Sequence, residues 1–225
     1  MNYTFQWGVA LEHLPGLLDG AKLTFIIGFL TFWGASFLGL IMAALKTYGG
    51  RITQRLVGAY VIFFTNTPAL VQIWFLYFGL PDVGIIWDKM TCMLIGLILN
   101  SGAYLTEIIR AGFISVRRNE IEAAETLGFS RIQQVWYVIV PHIAKTIYPA
   151  LANFFIVILV MGTSIGSVIG VQELTSQAKD LSTVDYRYLE TFTIAAAIYV
   201  VLTIVASITL ALVGRWAFRV KAKIF

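Results

Sequence analysis

Five stretches of this chain contain no Asp, Glu, Lys or Arg, and they restrict the possible folds more than any other feature. They cover residues 23–45, 56–81, 90–106, 146–172 and 191–214. A helix that crosses a membrane needs about 20 apolar residues, so four stretches are long enough and the third needs another turn beyond Glu107. Hydrocarbon offers no partner to an unpaired backbone N–H or C=O, so each stretch is predicted to be helical.

The composition favours lipid over water as the solvent of these helices. Of all residues, 59% are hydrophobic and 12% are charged, whereas soluble domains carry about 25% charged residues. We therefore predict an all-α polytopic membrane protein with about five transmembrane helices in a single domain, residues 1–225. Cys92 is the only cysteine, and His13 and His142 lie in different charged segments. The sequence predicts no disulfide, no metal site and no cofactor on this chain.

The basic residues predict the orientation of the helices. Twelve of the sixteen Lys and Arg residues follow the first or third stretch or lie near the C-terminus. They are Lys46, Arg51, Arg55, Arg110, Arg117, Arg118, Arg131, Lys145, Arg215, Arg219, Lys221 and Lys223. Because Lys and Arg concentrate on cytoplasmic loops, the N-terminus is predicted outside and the C-terminus inside. These charges flank apolar stretches instead of clustering, so they predict no nucleic-acid partner.

The longest loop, residues 110–145, has the periodicity of a helix. Ile121, Ala124 and Leu127 share one face, and Gly128 can adopt the positive φ that ends a helix. A second apolar stripe follows and is predicted to end at Pro141. Loops of this length without a role are uncommon. Periodicity alone leaves two interpretations open, an amphipathic helix on the membrane surface and a docking element for a soluble partner.

The residues of this loop carry a family resemblance. Glu122-Ala123-Ala124, then Gly128, then Val-Ile-Val before Pro141 resembles the EAA loop of ABC-importer permeases. In that family the loop forms a coupling helix that inserts into a cleft of the ATP-binding subunit. The resemblance implies that Glu122, Ala123, Ala124, Gly128 and Pro141 belong to the site that docks this subunit. It also implies that this chain is no enzyme and that a separate chain hydrolyses ATP.

Residues 67–72 with 77–81, 100–110 and 163–174 are similar to permeases for polar amino acids such as histidine, glutamine and glutamate. The similarity implies an ABC type I importer-like permease, multi-pass in the bacterial inner membrane. The implied partners are two ATPase subunits, a second permease subunit, an external solute-binding protein and membrane lipid. The family commonly has Arg-Gly at Thr65-Asn66 and often Lys-Asp at Met161-Gly162. Both differences remove charge, so they leave the transported amino acid open.

Polar residues inside the stretches are the candidates for the substrate pathway, because burying them in lipid is costly. They are Asn66, Gln72, Asn100, Tyr104, Asn153, Thr163 and Ser164. Hydrogen bonds between helices are the alternative explanation for each of them. Pro68 predicts a kink, and Glu107 is expected to pair with Arg110. The four-residue spacing of Gly162, Gly166 and Gly170 predicts a helix face that a neighbour approaches closely.

Three other functions have weaker support in the sequence. Residues 162–166 match Gly-x-Ser-x-Gly, but neither histidine is placed to act as the base that such a serine nucleophile needs. A permease of the same architecture could carry another small solute, such as an opine. A stand-alone ion-coupled carrier is a further alternative, although such carriers usually need acidic residues in the membrane and only Glu107 comes close.

Overall fold

The computed structural model describes residues 4–218, and the described residues fold into α-helices with no β-strand among them. The helices are α1 (Trp7–Glu12), α2 (Leu14–Tyr48), α3 (Arg51–Asn66), α4 (Ala69–Trp74), α5 (Lys89–Ser115), α6 (Arg118–Thr126), α7 (Arg131–Gln134), α8 (Val140–Val157), α9 (Leu174–Asp185) and α10 (Tyr188–Phe218). Short π-helical and 3-10 turns extend α4 to Val83. Similar turns join α7 and α8 into one helix, Arg131–Ile169.

The structure contains the predicted membrane spans, with one of them broken. The helices α2, α5, Arg131–Ile169 and α10 are each long and apolar enough to cross a membrane. The second predicted stretch consists of α3 and the segment Ala69–Val83, which meet at an angle of 100°. Pro68 lacks an N–H and disfavours helical geometry at the preceding residue, and Thr67 is indeed extended, with φ −110° and ψ 131°. The predicted kink is therefore a break.

One predicted boundary is wrong, and one helix is longer than its charge-free stretch. The helix α2 begins at Leu14, before the stretch that starts at residue 23. Pro141 does not end the second stripe of the loop, because it lies inside the helix Arg131–Ile169. A π-helical turn, Val135–Ile139, precedes it, with the Val140 N–H bonded to the Val135 carbonyl. This wider turn lets the helix continue past a residue that has no N–H to donate.

Close helix packing depends on glycines of α2. A Cβ added at Gly20 would lie 2.9 Å from the Leu174 Cα, and one at Gly39 would lie 2.9 Å from the Leu105 Cβ. The prediction that glycines of the fourth span form a closely packed helix face is mostly wrong. Only Gly166 is tightly packed there, with its added Cβ 2.6 Å from the Met93 Sδ, whereas Gly170 has φ +72° and ends a 3-10 turn.

Helix directions gather the basic residues at one end of the bundle, called here the basic end. The contacts of Gly34 with Ile98 and of Gly39 with Leu105 show that α2 and α5 run parallel. Nine of the thirteen described Lys and Arg residues lie toward the basic end. They are Lys46, Arg51, Arg55, Arg110, Arg117, Arg118, Arg131, Lys145 and Arg215. Arg219, Lys221 and Lys223 lie outside the described residues. Which end faces the cytoplasm stays a prediction.

Buried polar groups hold the opposite end of the bundle together. The fully buried Glu173 carboxylate accepts hydrogen bonds from the Thr175 and Ser176 N–H groups at the start of α9 and from the Tyr199 hydroxyl. Burial raises the pKa of Glu173, and these hydrogen bonds oppose the rise. His13 bonds the Thr191 hydroxyl at 2.8 Å. These contacts hold the start of α9 and the start of α2 against α10.

Candidate functional site

The helix α6 presents a small, polar surface at the basic end. Its side chains at Glu122, Ala123 and Glu125 are exposed, whereas Ala124 is 3% exposed and faces the protein. Glu122 pairs with Arg118 on the same helix at 2.8 Å. The small Ala123 side chain leaves the backbone of this surface accessible to a neighbouring molecule. A projecting helix of this kind can enter a cleft in another protein.

Gly128 ends this helix as the sequence predicts. Its φ is +78°, its N–H donates to the Glu125 carbonyl at 2.9 Å, and the Phe129 N–H donates to the Ala124 carbonyl at 3.0 Å. This pair of hydrogen bonds is a Schellman motif. The motif favours glycine at the position of Gly128, because the backbone there adopts the left-handed conformation. A Cβ added at Gly128 would meet no atom within 4 Å. The position therefore opens outward, beside the exposed face of α6.

Apolar side chains continue this surface beyond α6. Leu127, Ile132 and Trp136 are 74%, 73% and 65% exposed. Ser130 caps α7 by accepting a hydrogen bond from the Gln133 N–H, and the Gln133 side chain returns a bond to the Ser130 N–H. The capping box directs the chain from the exposed loop into the fourth span. Together, exposed charge and exposed apolar groups form a surface suited to a protein partner.

Three of the predicted pathway residues converge on the helix break. Pro68 cannot donate to the Phe64 carbonyl, and that oxygen instead accepts from the Asn100 amide at 2.8 Å and the Gln72 amide at 3.1 Å. The Gln72 amide also bonds the Thr67 carbonyl at 2.9 Å. The Tyr104 hydroxyl bonds the Thr65 carbonyl at 3.2 Å. These side chains replace the lost helical hydrogen bonds, which is the alternative role that the sequence left open.

The other four candidates take no part in these hydrogen bonds, although Asn66 is the last residue of α3 before the break. The Asn66 amide bonds the Ile62 carbonyl of its own helix, and Thr163 and Ser164 bond the Leu159 and Met161 carbonyls. Thr163 is fully buried. Asn153 is exposed on α8 and, within the described residues, forms no hydrogen bond through its side chain. The structure thus leaves Asn66, Tyr104 and Asn153 as exposed polar groups inside spans.

Two apolar cavities flank the spans. One of about 430 Å³ lies beside the helix break and is lined by Phe63, Phe64, Val71, Phe75 and Leu99, among others. The other, about 340 Å³, is an aromatic groove between α2 and α10 that includes Phe25, Phe29, Trp33 and Val205. Both are lined almost entirely by apolar groups, so neither provides ligands for a charged amino-acid headgroup. Among residues 4–218, no cluster of His, Cys, Asp or Glu could hold a metal ion.

One contact at the basic end was only half predicted. Glu107 pairs with Arg110 at 3.0 Å, as its spacing indicates, and it also accepts a hydrogen bond from Lys46 of α2 at 2.5 Å. Lys46 is distant in sequence, so periodicity gives no signal for that pair. The three groups satisfy one another at the basic end of the bundle, which explains an acidic residue inside α5 without ion coupling.

Comparisons with known proteins agree with this architecture. The family model for the binding-protein-dependent transport system inner membrane component matches residues 35–219. The glutamine transport system permease protein GlnP of Escherichia coli (strain K12) is 35% identical, covering 92% of this chain and 94% of its own. The nopaline transport system permease protein NocM of Agrobacterium fabrum is 31% identical, covering 92% and 89%. A crystal structure of an amino acid ABC transporter with histidines superposes with a TM-score of 0.86 and 36% identity, covering 95% and 99%.

Proposed function

Because the chain belongs to the family of binding-protein-dependent transport system inner membrane components, we propose that it is the membrane-spanning permease subunit of an ATP-binding-cassette importer for polar amino acids. The observation that carries the proposal is the projecting helix α6, ended by Gly128 in its left-handed conformation. Its small exposed residues fit the cleft of an ATPase subunit. ATP hydrolysis takes place on that partner.

The assembly contains two permease subunits, two ATPase subunits and an external solute-binding protein. The basic end faces the cytoplasm of a bacterial inner membrane, and the N-terminus lies outside. ATP binding on the partners moves α6, and the two states of the permease differ in their contacts there. That difference is what allows ATP to shift the equilibrium, since a ligand that binds both states equally shifts nothing.

The pathway runs along the face that carries Asn66, Tyr104 and Asn153, because these are exposed polar side chains at membrane depth. A second permease subunit packs against this face and completes the pathway. The groove between α2 and α10 faces lipid instead, since the Thr209 hydroxyl donates to its own helix and the remaining lining side chains are apolar. Thr163 and Ser164 support helix geometry near the pathway.

Polar amino acids are proposed as substrates because the relative GlnP is named for glutamine and the solved amino acid ABC transporter is described as a structure with histidines. NocM is named for nopaline, which keeps an opine as the second candidate. Competition for uptake of tritiated glutamine by unlabelled glutamate, histidine, arginine and nopaline separates the two. Inhibition by nopaline alone would favour the opine.

The test of the proposal is affinity purification of the tagged chain from its own membrane in gentle detergent, followed by mass spectrometry. The wild type is compared with Gly128→Trp and with Gly128→Ala. Both variants place a Cβ in a left-handed residue, at a cost of about 1–2 kcal/mol. Only tryptophan adds bulk to the open side of the helix. An ATPase subunit is therefore expected with the wild type and the alanine variant, and not with the tryptophan variant.

Two results would contradict this account. A folded wild-type chain that reproducibly brings no ATPase subunit would favour the stand-alone carrier. Equal ATPase recovery with the tryptophan variant would show that the partner docks elsewhere. Thermal unfolding of both variants serves as the control, because it reports whether either substitution damages the fold itself.

A further inference from the structure

One close contact between polar side chains connects the helix α6 to the fourth span. The Glu120 carboxylate lies 3.0 Å from His142 Nδ1, and the two side chains are 33% and 28% exposed. Glu120 belongs to the first turn of α6, and His142 lies directly after Pro141 at the start of α8. Within residues 4–218, no other side-chain ion pair or hydrogen bond ties α6 to another helix.

A second attachment holds the other end of α6. The Ala124 side chain is 3% exposed, and the buried Gln134 amide bonds the Phe129 carbonyl at 3.0 Å just beyond the Schellman motif. With both attachments, the orientation of α6 relative to the fourth span is fixed. With only the second, the first turn of α6 keeps its short backbone link to α5 and loses its side-chain contact with the fourth span.

We propose that His142 is a positioning residue whose contact with Glu120 transmits movement of α6 to the fourth span. This inference rests on the proposed function. A force applied at the exposed surface of Glu122 and Ala123 reaches α8 through the contact between Glu120, in the first turn of α6, and His142. From there α8 continues as one helix, which includes Pro149, to Asn153, about three turns further on. Glu122 cannot serve this role, since its ion pair is with Arg118 of the same helix.

The experiment compares His142→Ala, Glu120→Ala and the exchange variant Glu120→His/His142→Glu. Lys145→Ala is the matched control, because Lys145 is an exposed cation of the same helix and forms no ion pair within the described residues. Each variant is co-purified with its ATPase subunit, and the complex is reconstituted in proteoliposomes with the external binding protein. ATP hydrolysis and uptake of tritiated glutamine are then measured together. Hydrogen–deuterium exchange of α6 is measured in detergent on the chain alone.

The single variants are expected to keep their ATPase subunit and to lose uptake per ATP by about fivefold or more, the lower end of typical coupling between sites. Exchange of the α6 amides should rise in the same variants. The double variant Glu120→His/His142→Glu should restore most of the uptake per ATP and should lower amide exchange again. It restores the pair with the two side chains in reversed positions. Lys145→Ala should match the wild type.

Unchanged uptake per ATP and unchanged amide exchange in His142→Ala would overturn the proposal. An exchange variant no better than the single variants would also overturn it, because the loss would then belong to each side chain and not to their contact. A wild-type chain that recovers no ATPase subunit would instead contradict the proposed function. A complex that hydrolyses ATP without taking up glutamine would contradict the proposal that glutamine is a substrate. Amide exchange of α6 would then still test whether the contact between Glu120 and His142 holds this helix.

Discussion

Replacing Gly39 by alanine tests whether close approach of α2 and α5 determines the stability of the bundle. The added Cβ would lie 2.9 Å from the Leu105 Cβ and 3.1 Å from both the Leu105 carbonyl carbon and the Thr106 nitrogen. These atoms belong to a backbone and a buried side chain, so the two helices must separate. Overpacking of this kind costs about 1–3 kcal/mol. Alanine returns up to about 1 kcal/mol through its higher helix propensity.

Gly58→Ala is the matched control, because an added Cβ there meets no atom within 4 Å. It makes the same chemical change in α3 and should only gain helix propensity. At about 2–4 °C per kcal/mol for a chain of this size, the net cost should lower the Tm of Gly39→Ala by up to roughly 12 °C. Gly58→Ala should raise Tm by up to about 4 °C. The two substitutions are thus expected to have opposite signs.

The chain carries its own reporter for this assay. Cys92 is the only cysteine and is fully buried. A thiol-reactive fluorophore therefore reports its exposure during heating in detergent. A Tm for Gly39→Ala equal to or above that of Gly58→Ala would refute the packing argument, since the helices would then tolerate a side chain where the structure leaves no space.

Three further predictions address the helix break, the lipid face and the buried carboxylate. Gln72→Leu should lower stability by about 1–3 kcal/mol in the same thiol assay, because the Thr67 carbonyl loses its partner; a loss equal to that of Asn153→Leu would contradict this role. In vesicles of dibrominated phosphatidylcholine, tryptophan fluorescence should be quenched more in the wild type than in Trp33→Phe, because Trp33 is 59% exposed beside the groove. An equal quenched fraction in both proteins would place that groove away from lipid. Burial raises the pKa of Glu173 above 4.5, so the folded chain binds this proton more tightly than the unfolded chain, and stability falls as pH rises from 4.5 through the raised pKa. Thermal unfolding should therefore depend more on pH in the wild type than in Glu173→Gln, and identical pH dependence would contradict this assignment.

The sequence is sufficient to predict the membrane spans and the end of the helix α6 at Gly128, because both depend on local patterns. Lipid forbids charge over long stretches, and Gly128 marks a helix end by a conformation that few other residues adopt. The sequence predicts only a kink at Pro68, since the break is stabilised by the Gln72 side chain and by Asn100 of α5, which is distant in sequence. No local pattern carries those contacts.

Predictions that depend on contacts between helices are less complete. Gly20 and Gly39 of α2 approach the backbone of neighbouring helices, whereas only Gly166 is tightly packed in the fourth span, because spacing alone does not say which face meets a neighbour. Pro141 was expected to end a helix, and the π-helical turn before it shows how a proline is accommodated within one. The partner of Glu120 was missed for the same reason, since His142 reaches it only after the loop has folded back.

The most direct test of the central claim is uptake by purified components in proteoliposomes. The chain is reconstituted with and without its ATPase subunits, the external binding protein and tritiated glutamine are supplied outside, and ATP or a non-hydrolysable analogue is enclosed. Accumulation of glutamine only when the ATPase subunits and hydrolysable ATP are both present is the predicted result. Accumulation by the chain alone, driven by an ion gradient and independent of ATP, would contradict the account.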